Sequence, residues 1–545
     1  MKHKQDTDTK PELFGSLLEE RLLHYRRVET GERFACTLPE LFIAMAKDAV
    51  RDFPALRPHQ RHPWHAFLVQ LAAIALHRSN RAEPFDTAQE WKTSLLALTP
   101  NDPDGAAWCL VSPVDRPAFM QAPEPSGSIG SWKNCLVAPD ELDMLVTSKN
   151  HDLKAARMSL SKPEEWAYAL ISLQTQEGFL GAGNYGISRM NGGFASRCGI
   201  GVHPNGKWGS RWRRDLVAVM AARSAHMDSH GFLNAEGHAL IWTVPWGGDD
   251  SLSFANLDPW YIEICRRVRL LDLPKGLCAF VTGSKASRIA AKELNGITGD
   301  PWMPVDGVAA KALTIGSRGF DYKLASELLL GNKYTKPIAQ MWMTSDDTEG
   351  AYLIAQGVAR GQGKTEGFHQ RRIPASRTVR RALLSHSTDE LAKLADERIA
   401  AIAEVRKMLW SSLTALFGNG AKDETGKDKD ASDAVKERAN LFAQPLESQC
   451  DVQFFPELFE EIEATDRDAV RNQWLVTLAD RAESVLQSAF TAGPRSGQLR
   501  YRAQSAAVTR LRLSMRGNKF PALAQALKSR NPPFTSTHEE NHEHA

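Results

Sequence analysis

The spacing of hydrophobic residues changes once along the chain, and this change predicts two regions of different fold. Residues 38–50 and 64–76 repeat apolar positions every three or four residues, as amphipathic helices do. Residues 239–244, 260–270 and 351–355 instead resemble β-strands. Since segments of both kinds alternate up to about residue 376, this part of the chain is predicted to be α+β.

Beyond residue 376 only the helical spacing remains. Apolar residues recur every three or four positions from Leu391 to Leu413. Further helices are predicted over about 432–450, 455–491 and 497–528, separated by glycine-containing or charged breaks. Long helices joined by short breaks are typical of an antiparallel four-helix bundle, which is the fold predicted here.

These patterns predict the organisation of the whole chain. The fold class is α+β, with a large mixed N-terminal domain followed by the helical bundle. The predicted boundaries are a polar tail at 1–10, the α+β domain at 11–376, the bundle at 377–530 and a disordered tail at 531–545. Within the α+β domain, the density of glycine between residues 178 and 210 predicts loops and short strands, because glycine destabilises regular elements.

Composition narrows the class of protein. The chain of 545 residues has 67 Lys+Arg against 65 Asp+Glu, so its net charge alone indicates no polyanionic partner. The longest apolar run, Ala66–Leu76, contains Gln70 and is shorter than the roughly 20 residues that span a bilayer. Seven cysteines without a CxxC pair fit a reducing cytosol. We therefore expect a cytoplasmic protein with no membrane partner, no metal site and no cofactor.

One segment is similar to the end of a phosphate-binding loop, namely Gly361-Gln362-Gly363-Lys364-Thr365. It leaves open a nucleotide-hydrolysing enzyme that uses Gly361–Thr365. The full motif requires a glycine at position 358, where this chain has Val358, and an apolar helix after the threonine, which the sequence lacks. The chain is therefore predicted not to be an enzyme, and no catalytic residue is assigned.

Three histidines, His59, His62 and His65, stand at the spacing that a metal site could use. Pro58 and Pro63 interrupt any helix that would align the three side chains. The prediction is a solvated turn ahead of the helix that contains Trp64.

Local clusters of positive charge are a stronger signal. Between Lys207 and Arg214, cations alternate with Trp208 and Trp212, a pattern that can pair phosphates and stack on bases. A strand whose tryptophans face the core is the alternative. Residues 494–519 carry seven cations and no acid, either as a binding surface or as a solvated helix face. The predicted phosphate-binding residues are Lys207, Arg211, Arg213, Arg214, Arg500 and Arg510.

Several short segments together resemble one family. In chain order they are the residues 38–42, Arg116-Pro117-Ala118-Phe119-Met120-Gln121, Asn191-Gly192-Gly193-Phe194, Pro259-Trp260-Tyr261-Ile262-Glu263-Ile264 and the residues 357–367. On this collinear set, which covers most of the chain, the sequence resembles the CasA-type large subunit of the type I-E CRISPR surveillance complex, Cascade.

The resemblance implies a function. Such a subunit recognises the protospacer-adjacent motif on double-stranded DNA from the minor groove, assists duplex opening for the guide RNA and recruits the helicase–nuclease in antiviral defence. Its partners would be target DNA, the CRISPR guide RNA, other Cascade subunits and the helicase–nuclease. A scaffold subunit that binds RNA and protein without sensing a DNA motif is the alternative.

The resemblance also implies positions for the site. The glycine loop that presses into the minor groove would be Asn191, Gly192 and Gly193. The wedge would fall at Thr335 and Lys336, with Gln340 further on. Candidates for the minor-groove cation are Lys285, Arg288 and Lys292, and those for the loop at the guide's 5′ handle are Lys149 and Lys154.

Overall fold

The computed structural model describes residues 13–142, 161–190, 192–193, 196–204, 206–233, 236–346, 350–361, 364–420 and 431–530. Both predicted tails, 1–10 and 531–545, lie outside these ranges. Contacts divide the chain into two compact units, Met1–Phe320 with Glu327–Ala375, and Asp321–Ser326 with Ser376–Ala545. We call them the N-terminal unit and the helical unit. The short segment Asp321–Ser326 groups with the helical unit, which the sequence did not indicate.

The helices of the described residues occur in both units. They are α1 (Leu38–Ala46), α2 (Arg61–Arg78), α3 (Ala88–Ala97), α4 (Pro163–Gln176), α5 (Trp208–His230), α6 (Tyr322–Leu330), α7 (Arg377–Leu384), α8 (Asp389–Phe417), α9 (Asp433–Glu463), α10 (Arg467–Ser488), α11 (Gly497–Arg516) and α12 (Pro521–Arg530). Among them, no helix is long and apolar enough to cross a membrane.

The strands of the described residues all lie in the N-terminal unit. They are β1 (Phe14–Ser16), β2 (Leu23–Arg27), β3 (Arg33–Cys36), β4 (Val50–Asp52), β5 (Cys109–Val111), β6 (Asn134–Leu136), β7 (Gly199–His203), β8 (His238–Leu240), β9 (Leu252–Ser253), β10 (Leu257–Ile262), β11 (Arg267–Leu273), β12 (Gly276–Thr282), β13 (Ile289–Ala290), β14 (Val305–Asp306), β15 (Lys311–Ala312), β16 (Tyr334–Thr335), β17 (Tyr352–Gly361) and β18 (Lys364–Pro374). They form several small sheets, among them β11-β12-β6, β15-β14-β16 and β18-β17-β7. The α+β fold class is therefore confirmed.

Helix α2 is the centre of the N-terminal unit. Its residues from His62 to Leu76 are all buried, so this helix is enclosed on every side instead of being amphipathic. Gln70, which interrupts the apolar run, donates its Nε2 hydrogens to the carbonyls of Trp260 (3.1 Å) and Tyr261 (2.9 Å). The polar residue is tolerated because the end of β10 supplies acceptors for it.

The solvated turn predicted for the three histidines is wrong. Pro58 opens a short 3-10 turn and Pro63 occupies the first turn of α2, where its missing N–H breaks no helical hydrogen bond. His59, His62 and His65 are consequently all buried. No cluster of potential metal ligands occurs among the described residues.

The strand predicted over residues 260–270 is interrupted. Strand β10 ends at Ile262 and β11 begins at Arg267. Between them the N–H groups of Cys265 and Arg266 both donate to Gln174 Oε1 of helix α4, each at 2.8 Å. A buried side chain thus replaces a neighbouring strand as hydrogen-bond acceptor, and the chain turns there.

The helical unit contains the predicted bundle of four long helices, α8 to α11, although two helix boundaries differ from the prediction. Helix α9 continues through residues 451–454 and includes Pro445 and Pro456, whereas the true break lies at 464–466. There the Asp466 carboxylate accepts the N–H of Ala469 at 3.0 Å and caps α10. A buried ion pair crosses the bundle, where Arg398 Nε lies 2.7 Å from Glu461 Oε2.

Candidate nucleic-acid interface

The described part of the glycine-rich segment 178–193 is held against β10 by two buried side chains. The backbone N–H and the hydroxyl of Ser188 both donate to Glu263 Oε2 at 2.8 Å. Arg189 donates from Nη2 to the carbonyl of Tyr261 at 2.8 Å, and its guanidinium carbon lies 3.9 Å from the centre of the Tyr261 ring. These contacts fix the base of the loop, so its tip has a defined position.

Sequence reasoning did not identify these anchoring residues as functional. Burial raises the pKa of the Glu263 carboxyl above its ordinary value, and the opposing influences are the nearby Arg189 and the hydrogen bonds from Ser188. The one available signal was a glutamate inside an otherwise apolar run, Tyr261-Ile262-Glu263-Ile264, which indicates a buried and partnered carboxylate.

The tip of this loop exposes main chain. Gly192 is exposed and has a φ of +78°, in the left-handed region that favours glycine, and a side chain placed there would meet no atom of the described residues within 4 Å. Gly193 is half-buried, and its carbonyl accepts the N–H of Phe179 at 3.1 Å. Asn191, the third residue of the predicted glycine loop, lies outside the described residues. The loop therefore leaves open space beside its backbone at Gly192.

A cavity of about 400 Å³ opens beside the same loop. Its lining comes from the loop, including Gly192, and from a second segment that contributes Ser287, Ile289, Ala291 and Lys292. Most of the wall is apolar, with contributions from Phe179, Tyr185, Ile187, Met190 and Ile289. The structure thus brings together a glycine and a cation that are far apart in the sequence.

The three basic candidates differ sharply in environment. Lys292 is exposed and begins a 3-10 turn, Lys292–Leu294, at the rim of the cavity. Lys285 is exposed, and its ammonium lies 3.2 Å from Asp249. Arg288 is buried and donates to the carbonyls of residues 244–245, and burial lowers its pKa to about 10. Lys292 is therefore the best placed of the three for a ligand in the cavity.

The predicted wedge residues also differ in how far each is exposed to solvent. Thr335 is exposed in β16 and pairs with Val305 of β14. Lys336 is half-buried, and burial lowers the pKa of its ammonium while Glu327 opposes that shift. Gln340 is buried and donates from Nε2 to the carbonyl of Leu328, so it has a structural contact.

The glycine loop and the sheet that carries the wedge meet at Gly296. A Cβ at this position would lie 2.6 Å from the Ala312 side chain in β15 and 2.9 Å from the backbone carbon of Met190. Only glycine permits such a close approach. Since β15, β14 and β16 form one sheet, the loop and the exposed Thr335 are parts of one continuous structure.

The basic segment 207–214 is the start of helix α5, so the strand of the alternative is wrong, but Trp212 is buried and Trp208 packs against the core, as that alternative held. Arg214 is buried and donates to Asp346 at 2.9 Å, which leaves it little capacity for a ligand. Arg213 donates to the carbonyl of Ala46 at 2.6 Å, and the Lys207 ammonium lies 3.6 Å from Asp48. These three side chains are already occupied by protein groups; the fourth predicted member, Arg211, is considered below.

The remaining basic candidates lie elsewhere. Arg500 is exposed on α11, whereas Arg510 is half-buried, where burial lowers its pKa, and donates to the carbonyl of Ser411 at 3.4 Å. Lys149 and Lys154, the candidates for the guide-handle loop, lie outside the described residues.

The segment similar to a phosphate-binding loop has a different geometry. Strands β17 and β18 form an antiparallel hairpin in which Arg360 pairs with Thr365 and Gly361 with Lys364. Strand β18 continues to Pro374, so a strand stands where a phosphate-binding loop requires a helix N-terminus. The hypothesis of nucleotide hydrolysis at Gly361–Thr365 therefore loses its structural basis.

Comparison with solved structures identifies the fold. The protein Cse1 from Acidimicrobium ferrooxidans aligns with 96% of this chain and 100% of its own, at a TM-score of 0.61 and 15% identity. CasA (Cse1) from Thermus thermophilus covers 92% of this chain and 99% of its own, with a TM-score of 0.60 and 14% identity. Cse1 from Thermobifida fusca covers 93% of this chain and 98% of its own, with a TM-score of 0.60 and 12% identity.

Comparisons that use the sequence alone do not detect this likeness. No protein-family model matches the chain, and no curated protein matches it. The similarity in three dimensions nevertheless extends over both units, in agreement with the resemblance that the short motifs indicated. This chain has the fold of the CRISPR-associated protein Cse1, or CasA, over nearly its whole length.

Proposed function

We propose that this protein is a non-catalytic large subunit of a type I-E Cascade complex, in which it recognises a short motif on double-stranded DNA. It would then assist duplex opening, so that the guide RNA can pair with one strand, and recruit the helicase–nuclease. The observation that carries the proposal is the shared cavity of Gly192 and Lys292 on a chain with the Cse1 fold. The other Cascade subunits and the guide RNA are partners implied by the same likeness.

The chemistry of the cavity suits the minor groove of DNA. This groove is only about 6 Å wide, so the backbone of a glycine can approach its floor more closely than a residue that carries a side chain. Gly192 supplies such a backbone, and a lysine at the rim can pair with a phosphate or a base edge. Because the minor groove distinguishes few sequences, we expect recognition of a short motif, with the longer target read by base pairing.

The first test replaces the glycine beside the exposed tip. We expect Gly193→Asp to weaken binding of the reconstituted complex to matched, motif-containing DNA by at least about tenfold, through added bulk and like charge. Gel shifts with and without the motif measure this, and Lys292→Ala should weaken binding in the same assay. Gly316→Asp is the control for the added carboxylate, because this glycine is exposed, has no described atom within 4 Å of a side chain placed there and does not line the cavity. Unchanged affinity of Gly193→Asp would reject the site.

The second test concerns the wedge. We expect Lys336→Ala to reduce opening of the duplex more than initial binding, because a wedge must offset a few kcal/mol of base unstacking. Permanganate footprinting of the displaced strand measures opening. Lys333→Ala serves as the control, since its ammonium lies 3.4 Å from the Asp306 carboxylate and is already paired. Normal opening by the Lys336 variant would remove this residue from the proposed wedge.

A further inference from the structure

A second cavity, of about 190 Å³, lies in the N-terminal unit and is rich in arginine. Its floor is one face of the sheet β18-β17-β7. Tyr352, Ile354 and Gln356 alternate along β17, so they share that face, and they pair with His203, Arg372 and Gln370 of the adjacent strands. The start of α5 and strand β4 with the residues that follow it close the other sides.

Arg211 is the central feature of this cavity. Its side chain is 95% buried, yet among the described residues its Nε and Nη2 atoms have no hydrogen-bond partner. The nearest carboxylate is that of Asp215, at 4.0 Å from Nε, which is too long for a hydrogen bond. A buried guanidinium with unused donors is energetically costly unless something binds it.

Further positive charge surrounds Arg211. Arg51, Arg61 and Arg372 line the cavity and are exposed. Among the described residues that line the cavity, Asp52 is the one acidic residue, and Arg26 lies 3.4 Å from its carboxylate. Excess positive charge is therefore focused into a partly enclosed space.

The aromatic part of the lining adds a flat wall. The ring of Tyr352 stacks on His203 with their centres 5.0 Å apart, and the guanidinium of Arg372 lies 5.2 Å from the Tyr352 ring. Burial lowers the pKa of His203 to about 3, so the ring is neutral at physiological pH. Its Nδ1 is buried and has no hydrogen-bond partner among the described residues.

We propose that this cavity binds a phosphate group, with Arg211 as its buried ligand and Arg372, Arg51 and Arg61 around its mouth. Guanidinium donors match phosphate oxygens in geometry and remain charged when buried. The volume exceeds that of a phosphate alone, so the group can be free or carried by a nucleotide. This site is separate from the glycine-loop cavity, and the two proposals can fail independently.

The experiment measures phosphate binding by the purified full chain with isothermal titration calorimetry, in chloride buffer of constant ionic strength. Inorganic phosphate and a 5′-phosphorylated dinucleotide are compared with the same dinucleotide lacking the phosphate. We expect saturable binding of one or both phosphorylated ligands and none of the third. If the phosphorylated dinucleotide binds more tightly than inorganic phosphate, the phosphate of the natural ligand belongs to a nucleotide. If the two bind equally, the ligand is free phosphate. Absence of binding by both at millimolar concentration would overturn the proposal.

Two variants assign the binding to the cavity. We expect Arg211→Met and Arg372→Gln each to weaken phosphate binding by at least about tenfold. Arg371→Gln is the control, because this neighbouring side chain donates to the carbonyl of Phe320 at 3.0 Å and does not line the cavity. Unchanged phosphate affinity in Arg372→Gln would reject the assignment even if the Arg211 variant failed to fold.

A stability measurement separates ligand binding from a structural role. Because the Arg211 guanidinium has unused buried donors, Arg211→Met should not lower the melting temperature in chloride buffer, whereas phosphate should raise that of the wild type only. A variant that melts well below the wild type in chloride and retains its phosphate-induced rise would contradict the proposal.

Discussion

Replacing Asp215 by alanine is expected to lower the free energy of unfolding of the N-terminal unit by about 3–5 kcal/mol, the usual effect of removing one partner of a buried charged network. The carboxylate is fully buried and accepts from His65 Nε2 at 2.8 Å, Trp302 Nε1 at 3.0 Å and Arg214 Nη1 at 3.0 Å. Its loss leaves the N–H groups of His65 and Trp302 without this acceptor and Arg211 without its nearest negative charge, whereas Arg214 Nη1 still donates to the carbonyl of Ala339 at 2.8 Å.

The electrostatics of Asp215 support this magnitude. Burial by itself would raise the pKa of the carboxyl, but the hydrogen bond from His65 and the nearby guanidinium groups lower it well below its ordinary value. The ionised form is therefore the one that the fold stabilises.

Urea unfolding followed by tryptophan fluorescence measures the loss. All but two of the 14 tryptophans precede residue 376, so the signal reports mainly on the N-terminal unit. Asp228→Ala is the control, because Asp228 is an exposed aspartate on the same helix, α5, and should change stability by less than about 0.5 kcal/mol. A loss below about 1 kcal/mol for Asp215→Ala would contradict the network described here.

Acidification from about pH 7 to about pH 5 is expected to destabilise the protein by about 2 kcal/mol for each buried histidine. Burial lowers the pKa of His65 to about 4 and those of His203 and His226 to about 3. In the unfolded chain these groups titrate near pH 6.5, so the unfolded state binds more protons as the pH falls. The contribution of each neutral histidine to stability is therefore fully present above about pH 6.5, and it is lost as the pH falls towards the pKa of the folded state.

A single substitution tests this linkage. His226 stacks on Trp260 with ring centres 4.6 Å apart, so His226→Phe keeps an aromatic ring in place while removing the titrating group. We expect the fall in unfolding free energy between about pH 7 and about pH 5 to shrink by about 2 kcal/mol in this variant. His238→Phe, at an exposed position, is the control for introducing a phenylalanine ring. A free energy of unfolding that is constant over this pH range would refute the mechanism.

Helices α1 and α2 and the long helices of the bundle were predictable because their signals are local, whereas α3, α4 and α5 were not predicted. Thr37 and Glu40, for example, form a reciprocal capping box at the start of α1, where Glu40 Oε2 accepts the N–H of Thr37 at 2.9 Å. The same local reasoning failed for the three histidines around α2. Prolines in a first turn are compatible with a helix, and the burial of His59, His62 and His65 depends on distant elements packing around them.

For the basic residues, too, the sequence shows which residues are charged, whereas the fold decides which charges are available to a ligand. The sequence placed Arg211 and Arg214 in one basic cluster. It could not show that Arg214 donates to Asp346, whereas Arg211 Nε and Nη2 have no hydrogen-bond partner among the described residues. Likewise Lys285, Lys292 and Arg288 are equivalent as residue types, and only their burial separates them. Charge is a property of the sequence; its availability to a ligand depends on which neighbours the fold provides.

The sequence by itself determined the α+β class, the four-helix bundle and, through short collinear motifs, the likeness to CasA, because periodicity and motif order are written along the chain. The tertiary structure decided what those residues can bind. Gly192 and Lys292 line one cavity, and Arg211 and Arg372 another, only after strands and helices from distant parts of the chain have packed together, because no local pattern in the sequence records those contacts.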